Sequence, residues 1–177
     1  MINEFAIKKN SIIFNLDADD WLLDNSVLDY ISHFYKNDIF FTYGECLIWN
    51  GKKYSNKPSR FVRPFSNIPY SKKIIKESLY RIKPFQVSHP MTFKTNIFKR
   101  ISEEDFKDRK GNWLKYCLDL ASYLPMLEMA KGRYKVLKKP LYAYNIGSQN
   151  TNIKINPYEF VREDLIIRKK KPYEPIT

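Results

Sequence analysis

The stretch Ile12–Leu22, with the sequence IIFNLDADDWL, decides how the rest of the chain is interpreted. Its apolar first half is typical of a buried β-strand, and that strand ends abruptly at three carboxylates, Asp17, Asp19 and Asp20. Carboxylates this close together repel one another unless a positive charge lies near them. In open α/β sheets, ligands bind at the carboxyl ends of the strands. A divalent cation is the simplest partner, because such ions prefer oxygen ligands and are often held by carboxylates together with substrate phosphates.

The spacing of the three carboxylates leaves a second interpretation open. Asp-x-Asp is a short pattern that also occurs in solvated loops, where one carboxylate caps the following helix. Such a helix is predicted from Asn25 onward. Its apolar residues recur at helical spacing, namely Val27, Leu28, Ile31, Phe34 and Tyr35.

The composition is that of a folded globular protein. The chain has 177 residues, of which 44% are hydrophobic, and this is enough for one sizeable core. No apolar run approaches the ~20 residues that span a bilayer, and the N-terminus lacks the layout of a signal peptide. Cys46 and Cys117 lack motif spacing, so they are predicted to be free, buried thiols. These features predict a soluble cytoplasmic protein without a transmembrane segment.

The net charge of +12 is unevenly distributed. Residues 1–50 carry 8 acidic and 3 basic side chains, whereas residues 51–115 carry 17 basic and 5 acidic ones. An acidic metal-binding segment beside a basic segment suits a substrate that bears a diphosphate. The same charge also suits nucleic acid or an anionic membrane surface. Arg60 and Arg63, on a proline-rich loop over residues 55–70, are candidate phosphate contacts, with a solvated surface as the alternative.

The remaining elements follow from periodicity and turn residues. Asn50-Gly51 is a strong hairpin signal, which predicts that a strand over Ile39–Trp49 folds back onto Lys52–Tyr54. Pro125 is predicted to bend or restart the helix in which it lies. Further helices are predicted over Ser71–Tyr80, Thr95–Arg100, Asp119–Ala130 and Pro157–Ile167, and further strands over Val87–Phe93, Tyr134–Leu137 and Leu141–Tyr144.

Four later segments carry a family resemblance together with the aspartate cluster. They are Tyr43-Gly44, His89–Lys94 (HPMTFK), Asp119–Ala130 (DLASYLPMLEMA) and Leu141–Asn145 (LYAYN). Through these five segments, which occur in the same order over roughly residues 11–152, the chain resembles the family 2 glycosyltransferases. Members of that family use nucleotide-sugar donors on a GT-A fold. Each segment is weak alone, but five matches in the right order are far more specific.

The resemblance implies both a fold and an activity. The expected fold is a partial GT-A domain of the α/β class, with a mixed sheet flanked by helices, over residues 1–156, followed by a basic C-terminal helix and tail over residues 157–177. The expected activity is inverting transfer of a sugar from a nucleotide-sugar donor to a hydroxyl of a glycan or another acceptor, with Mn²⁺ or Mg²⁺ as the cofactor. The alternative is a non-enzymatic α+β module that binds nucleic acid or another polyanion through residues 52–115, although nucleic acid is the less favoured partner.

The resemblance also assigns roles to individual residues. Asp19 matches the direct metal ligand, and Asp17 matches a metal ligand or a contact to the donor sugar. Asp119 matches the family's catalytic base, and a plain helix cap is its alternative role. His89 is a donor or acceptor contact or a third metal ligand, unless it is purely structural. Asp20 is the weakest of the three clustered carboxylates and is expected only to cap the next helix.

The chain departs from the family at its N-terminus. Family members begin with roughly two βα units that build the nucleotide pocket, whereas ten residues precede the first predicted strand here. The expected consequences are an uncovered apolar strand edge and half a donor pocket, which would make this chain a poor enzyme by itself. A fragment of a longer product, a split protein completed by a partner chain and an inactive remnant are the three explanations.

Overall fold

The computed structural model describes residues 11–55, 67–147 and 156–177, which form an α/β structure around one mixed five-stranded sheet. The strands are β1 (Ile12–Asn15), β2 (Trp21–Leu22), β3 (Phe41–Trp49), β4 (Met91–Lys94) and β5 (Tyr134–Asn145). The helices are α1 (Val27–Phe34), α2 (Lys72–Lys76), α3 (Thr95–Phe98), α4 (Leu118–Ala130) and α5 (Pro157–Arg168), with 3-10 turns at Leu79–Ile82 and Glu103–Phe106.

The strand order is β1-β4-β3-β5-β2. β3 and β5 are parallel, and the pairs β1–β4, β3–β4 and β2–β5 are antiparallel. Among the described strands β1 pairs only with β4, so it is an edge of the described sheet. The carboxyl end of β1, where the aspartates follow, therefore lies beside the amino end of β4.

The long strand β5 corrects the prediction of two separate short strands. Leu137 pairs with Gly44 and Tyr142 with Cys46, so residues 138–141 of β5 bulge out opposite a single residue of β3. The bulge contains Pro140, which lacks an N–H to donate to a ladder. Only glycine fits at position 44, because a Cβ there would lie 2.5 Å from the Cβ of Leu137. Composition favoured a break at the bulge, whereas pairing with β3 continues on both sides of it.

Helix α4 lies in the centre of the core. From Leu120 to Ala130 all of its side chains except that of Ser122 are buried, as expected for a helix that is surrounded by other elements. It packs against the aromatic side chains of the sheet, where the ring of Tyr123 meets those of Phe41 and Phe93 edge to face. The predicted bend or restart at Pro125 is not seen as a break, because α4 is one helix from end to end.

The predicted hairpin at Asn50-Gly51 is present only as a tight turn. The Asn50 side-chain oxygen accepts hydrogen bonds from the backbone N–H groups of Lys52 and Lys53, and the chain returns to make one bridge between Trp49 and Tyr54. The turn signal was therefore right, but the returning residues form no regular strand.

The C-terminal segment is attached to α4 through buried charge. Arg81, in the turn at Leu79–Ile82, donates to both carboxylate oxygens of Glu128 at 2.6 and 2.9 Å and to the carbonyl of Ile167 in α5. Glu128 also accepts from the backbone N–H of Tyr173. In the part of the chain that the structure describes, no helix is long and apolar enough to cross a bilayer.

Candidate functional site

The register of β1 and β4 explains how His89 reaches the aspartate cluster. Asn15 and Met91 form the last pair of the antiparallel ladder, so positions 17 and 89 both lie two residues beyond it, at the same end. The Nε2 atom of His89 lies 3.5 Å from a carboxylate oxygen of Asp17. Two residues that are 72 positions apart in the sequence thus meet just beyond the end of β1, because β1 and β4 are neighbouring antiparallel strands.

The imidazole of His89 is held by two aromatic rings of β5. It stacks on Tyr142 and Tyr144 with centroid distances of 5.0 and 5.9 Å, and only 6% of the residue is exposed. Its Nδ1 atom is buried and has no hydrogen-bond partner among the described residues. The ring is therefore fixed in position while it retains unused hydrogen-bonding capacity.

Asp20 has a structural role that corrects its predicted role as a helix cap. One of its carboxylate oxygens accepts from the hydroxyl of Tyr142 at 2.6 Å, and the other accepts from the backbone N–H of Asn145 at 2.8 Å. Helix α1 begins seven residues later, and the carboxylate of Asp24 accepts from the backbone N–H of Ser26 at its start. Asp20 therefore connects the aspartate cluster to β5 and is not available to a ligand.

Burial raises the pKa of the Asp20 carboxyl above its usual value, although the hydrogen bonds from Asn145 and Tyr142 oppose that rise. Because the folded state binds this proton more tightly than the unfolded state, the contribution of Asp20 to stability is fully present below the usual aspartate pKa. It is lost as the pH rises through the raised pKa. We expect the free energy of unfolding of the wild type, minus that of Asp20→Asn, to fall across this pH window in urea titrations. A difference that grows with pH would contradict this assignment.

Asp17 and Asp19 differ from Asp20 in their exposure. Asp17 keeps 48% of its side chain exposed, and Asp19 is half-buried and uses its backbone carbonyl to accept from the side-chain amide of Asn145. Within residues 11–55, 67–147 and 156–177, no group of three or more His, Cys, Asp or Glu side chains is arranged to hold a metal ion. Two accessible carboxylates still fit a cation such as Mg²⁺ that takes its other ligands from water and substrate phosphates.

A cavity of about 210 Å³ lies between residues 85–89, the start of α4 and α5. Asp119 and His89 both line it, and Asp164 of α5 adds a second carboxylate. Its walls are otherwise mainly apolar, with Phe85, Tyr116 and Phe160 as the largest side chains. Small-molecule sites commonly combine apolar walls with a few convergent polar groups.

Asp119 is the second residue of α4 and is exposed, while the helix start itself is held by α5. The buried carboxylate of Glu163 accepts from the backbone N–H groups of Lys115, Tyr116 and Cys117, at 2.8, 2.8 and 3.0 Å. These amides precede the helix and would otherwise be orphaned donors. Sequence reasoning missed Glu163, because its partners are 46 to 48 residues away. Its one available signal was helical spacing, which places this carboxylate on one face with Phe160, Ile166 and Ile167.

Both cysteines are free and buried, as predicted. Cys117 lines the cavity, and burial raises the pKa of its thiol to about 12. It is therefore protonated at neutral pH and is no candidate nucleophile.

The structure thus brings His89 beside Asp17 and into one cavity with Asp119, whereas the carboxylate of Asp20 is occupied by hydrogen bonds within the protein.

The predicted phosphate contacts Arg60 and Arg63 lie outside the described residues. Sequence comparison adds no assignment of its own: no protein-family model matches this chain, and no curated protein matches it.

Proposed function

We propose that this chain is a GT-A-like glycosyltransferase domain that transfers a sugar from a nucleotide-sugar donor to an acceptor hydroxyl with inversion. The observation that carries the proposal is the position of His89. It lies 3.5 Å from Asp17 and lines the same cavity as Asp119, which supports a single site for the carboxylate cluster and the candidate base. The chemistry needs both, because a diphosphate leaves while a hydroxyl attacks.

In the proposed reaction the acceptor hydroxyl binds in the cavity, and the Asp119 carboxylate takes its proton as the oxygen attacks the anomeric carbon. The bond from that carbon to the nucleoside diphosphate breaks, and the diphosphate leaves from the opposite face with the bonding electron pair. Asp17 and Asp19 would hold a divalent cation, which when bound neutralises charge on the leaving phosphates. His89 orients Asp17 through Nε2, and its Nδ1 atom has no hydrogen-bond partner among the described residues.

The rival proposal, a basic module for nucleic acid, is weakened by where the basic residues are used. Within residues 52–115, Arg81 is buried against Glu128. Outside that segment, Arg168 of α5 is paired with Asp164 and donates to two backbone carbonyls. These guanidinium groups hold the fold together and are not available to a polyanion. Each pair also takes up one carboxylate, so the net charge of +12 is unchanged, but two fewer cations can contact a polyanion directly.

The direct test is metal-dependent binding of a nucleoside diphosphate, measured by calorimetry with and without Mn²⁺. We expect Asp19→Ala to lose at least tenfold in affinity in the presence of Mn²⁺, because one of two protein ligands is removed. Asp29→Ala removes an exposed carboxylate of α1 and serves as the matched control, which should bind as the wild type does.

If the affinity for the nucleoside diphosphate changes neither on removal of Mn²⁺ nor in Asp19→Ala, then Asp17 and Asp19 are not part of the site. Tight binding to any DNA duplex that is unchanged in Asp19→Ala would favour the basic module instead. Such binding should weaken steeply with added salt, because each neutralised phosphate releases counterions.

A further inference from the structure

Helix α5 presents an apolar face that nothing in the described protein covers, and we propose that this face, with the basic cleft beside it, binds the surface of an anionic lipid bilayer. Membrane binding by this face does not depend on the chemistry proposed for the cavity. It concerns the outer side of α5, whereas Glu163 and Ile167 of the same helix are buried against the protein.

Three side chains form the exposed apolar face. Tyr158, Val161 and Leu165 are 85%, 55% and 49% exposed, and their spacing of three and four residues places them on one side of the helix. Single exposed apolar residues are ordinary, but a helical stripe of them marks an interaction surface. A helix that lies in a membrane interface carries such a stripe, with basic residues beside it.

The charge around this stripe is mostly positive. A shallow cleft of about 370 Å³, with Leu165 in its wall, is lined by the cations Arg109, Lys110, Arg162 and Lys169. Two carboxylates offset part of that charge, since Glu159 pairs with Arg162 at 2.7 Å and Asp108 lies 4.0 Å from the same guanidinium. Four cations against two carboxylates leave a net positive surface, which complements acidic headgroups.

The combination of apolar stripe and cations favours a lipid surface over the other partners. A second copy of the chain, docked through the same face, would bring the four cations opposite themselves, and like charges in an interface are costly. Nucleic acid would satisfy the cations, but it offers nothing that buries Val161 and Leu165. A bilayer with acidic headgroups meets both requirements, because the side chains enter the acyl boundary while the cations stay at headgroup level.

The test is flotation of the purified chain with vesicles of phosphatidylcholine alone or of phosphatidylcholine mixed with phosphatidylglycerol. We expect binding to the mixed vesicles only, weakened by added salt. The double variant Val161→Gln/Leu165→Gln should lower the partition coefficient at least tenfold, because two apolar side chains no longer gain from burial. Arg109→Gln/Lys110→Gln should weaken binding at low salt and have less effect at high salt.

Matched controls separate the surface from general hydrophobicity and charge. Leu28→Gln removes a side chain of α1 that is 56% exposed, and Lys72→Gln/Lys73→Gln removes the same charge from α2. Both should float as the wild type does, and all variants should keep the wild-type circular dichroism spectrum. Failure of the wild type to float, or undiminished flotation of Val161→Gln/Leu165→Gln, would overturn the proposal. The proposal would also be overturned if the wild type formed a dimer in sedimentation equilibrium, or bound a DNA duplex, and Val161→Gln/Leu165→Gln abolished that association.

Discussion

Replacing Asp119 by asparagine is expected to abolish sugar transfer while the protein stays folded and still binds the nucleotide. The change removes the proton acceptor and keeps the shape of the side chain, so it separates base catalysis from packing. General base catalysis typically contributes 10²–10⁴-fold, and we expect a fall in kcat of about that size. The expectation rests on Asp119 lining the cavity shared with His89. The measurement is release of nucleoside diphosphate from nucleotide-sugar in the presence of Mn²⁺ and acceptor.

The matched control is Asp29→Asn, which makes the same change in the first turn of α1. It should leave transfer unchanged. If Asp119 serves only the helix end, its asparagine variant should also transfer normally, because Asn stabilises a helix start about as well as Asp. Retained transfer would therefore remove Asp119 from the catalytic residues. Loss of the folded signal in circular dichroism would instead assign it a structural role.

Replacing Arg81 by methionine is expected to have the largest effect on stability. It leaves the Glu128 carboxylate, whose side chain has no exposed surface, without its bidentate partner, and it frees the carbonyl of Ile167. Removing one partner of a buried ion pair typically costs about 3–5 kcal/mol, because the other charge remains desolvated. For a domain of this size the corresponding fall in Tm is roughly 10 °C. Urea unfolding and thermal melts of the two proteins measure both quantities.

The pair Arg162–Glu159 provides the comparison on the surface. Its atoms lie 2.7 Å apart, but both side chains are more than a third exposed, so solvent screens the interaction. Arg162→Met is expected to cost at most about 1 kcal/mol. Equal losses for the two variants would show that burial of the Arg81–Glu128 pair does not matter, and would contradict the account given for the attachment of the C-terminal segment.

Local pattern determined most of the secondary structure of this protein. The apolar run before Asp17 contains β1, the residues at helical spacing after Asn25 lie in and next to α1, and the apolar segment from Asp119 forms most of α4. These predictions succeeded because each depends on residues a few positions apart, where periodicity of 2.0 or 3.6 reports directly on which side chains face the core. Whether this sheet with its helices is a GT-A fold stays a prediction.

Tertiary structure alone decided what the aspartates do. In the sequence Asp17, Asp19 and Asp20 are almost equivalent. The Tyr142 hydroxyl and the backbone N–H of Asn145, more than 120 residues away, both donate hydrogen bonds to the Asp20 carboxylate, and the other two carboxylates stay accessible. The ladder between β1 and β4 likewise set His89 beside Asp17. Partners at such distances leave no periodic trace in a sequence, since the pairing of strands is settled by the whole sheet. The sequence determined that carboxylates follow β1, and the packing of β4 and β5 determined which of them a ligand can reach.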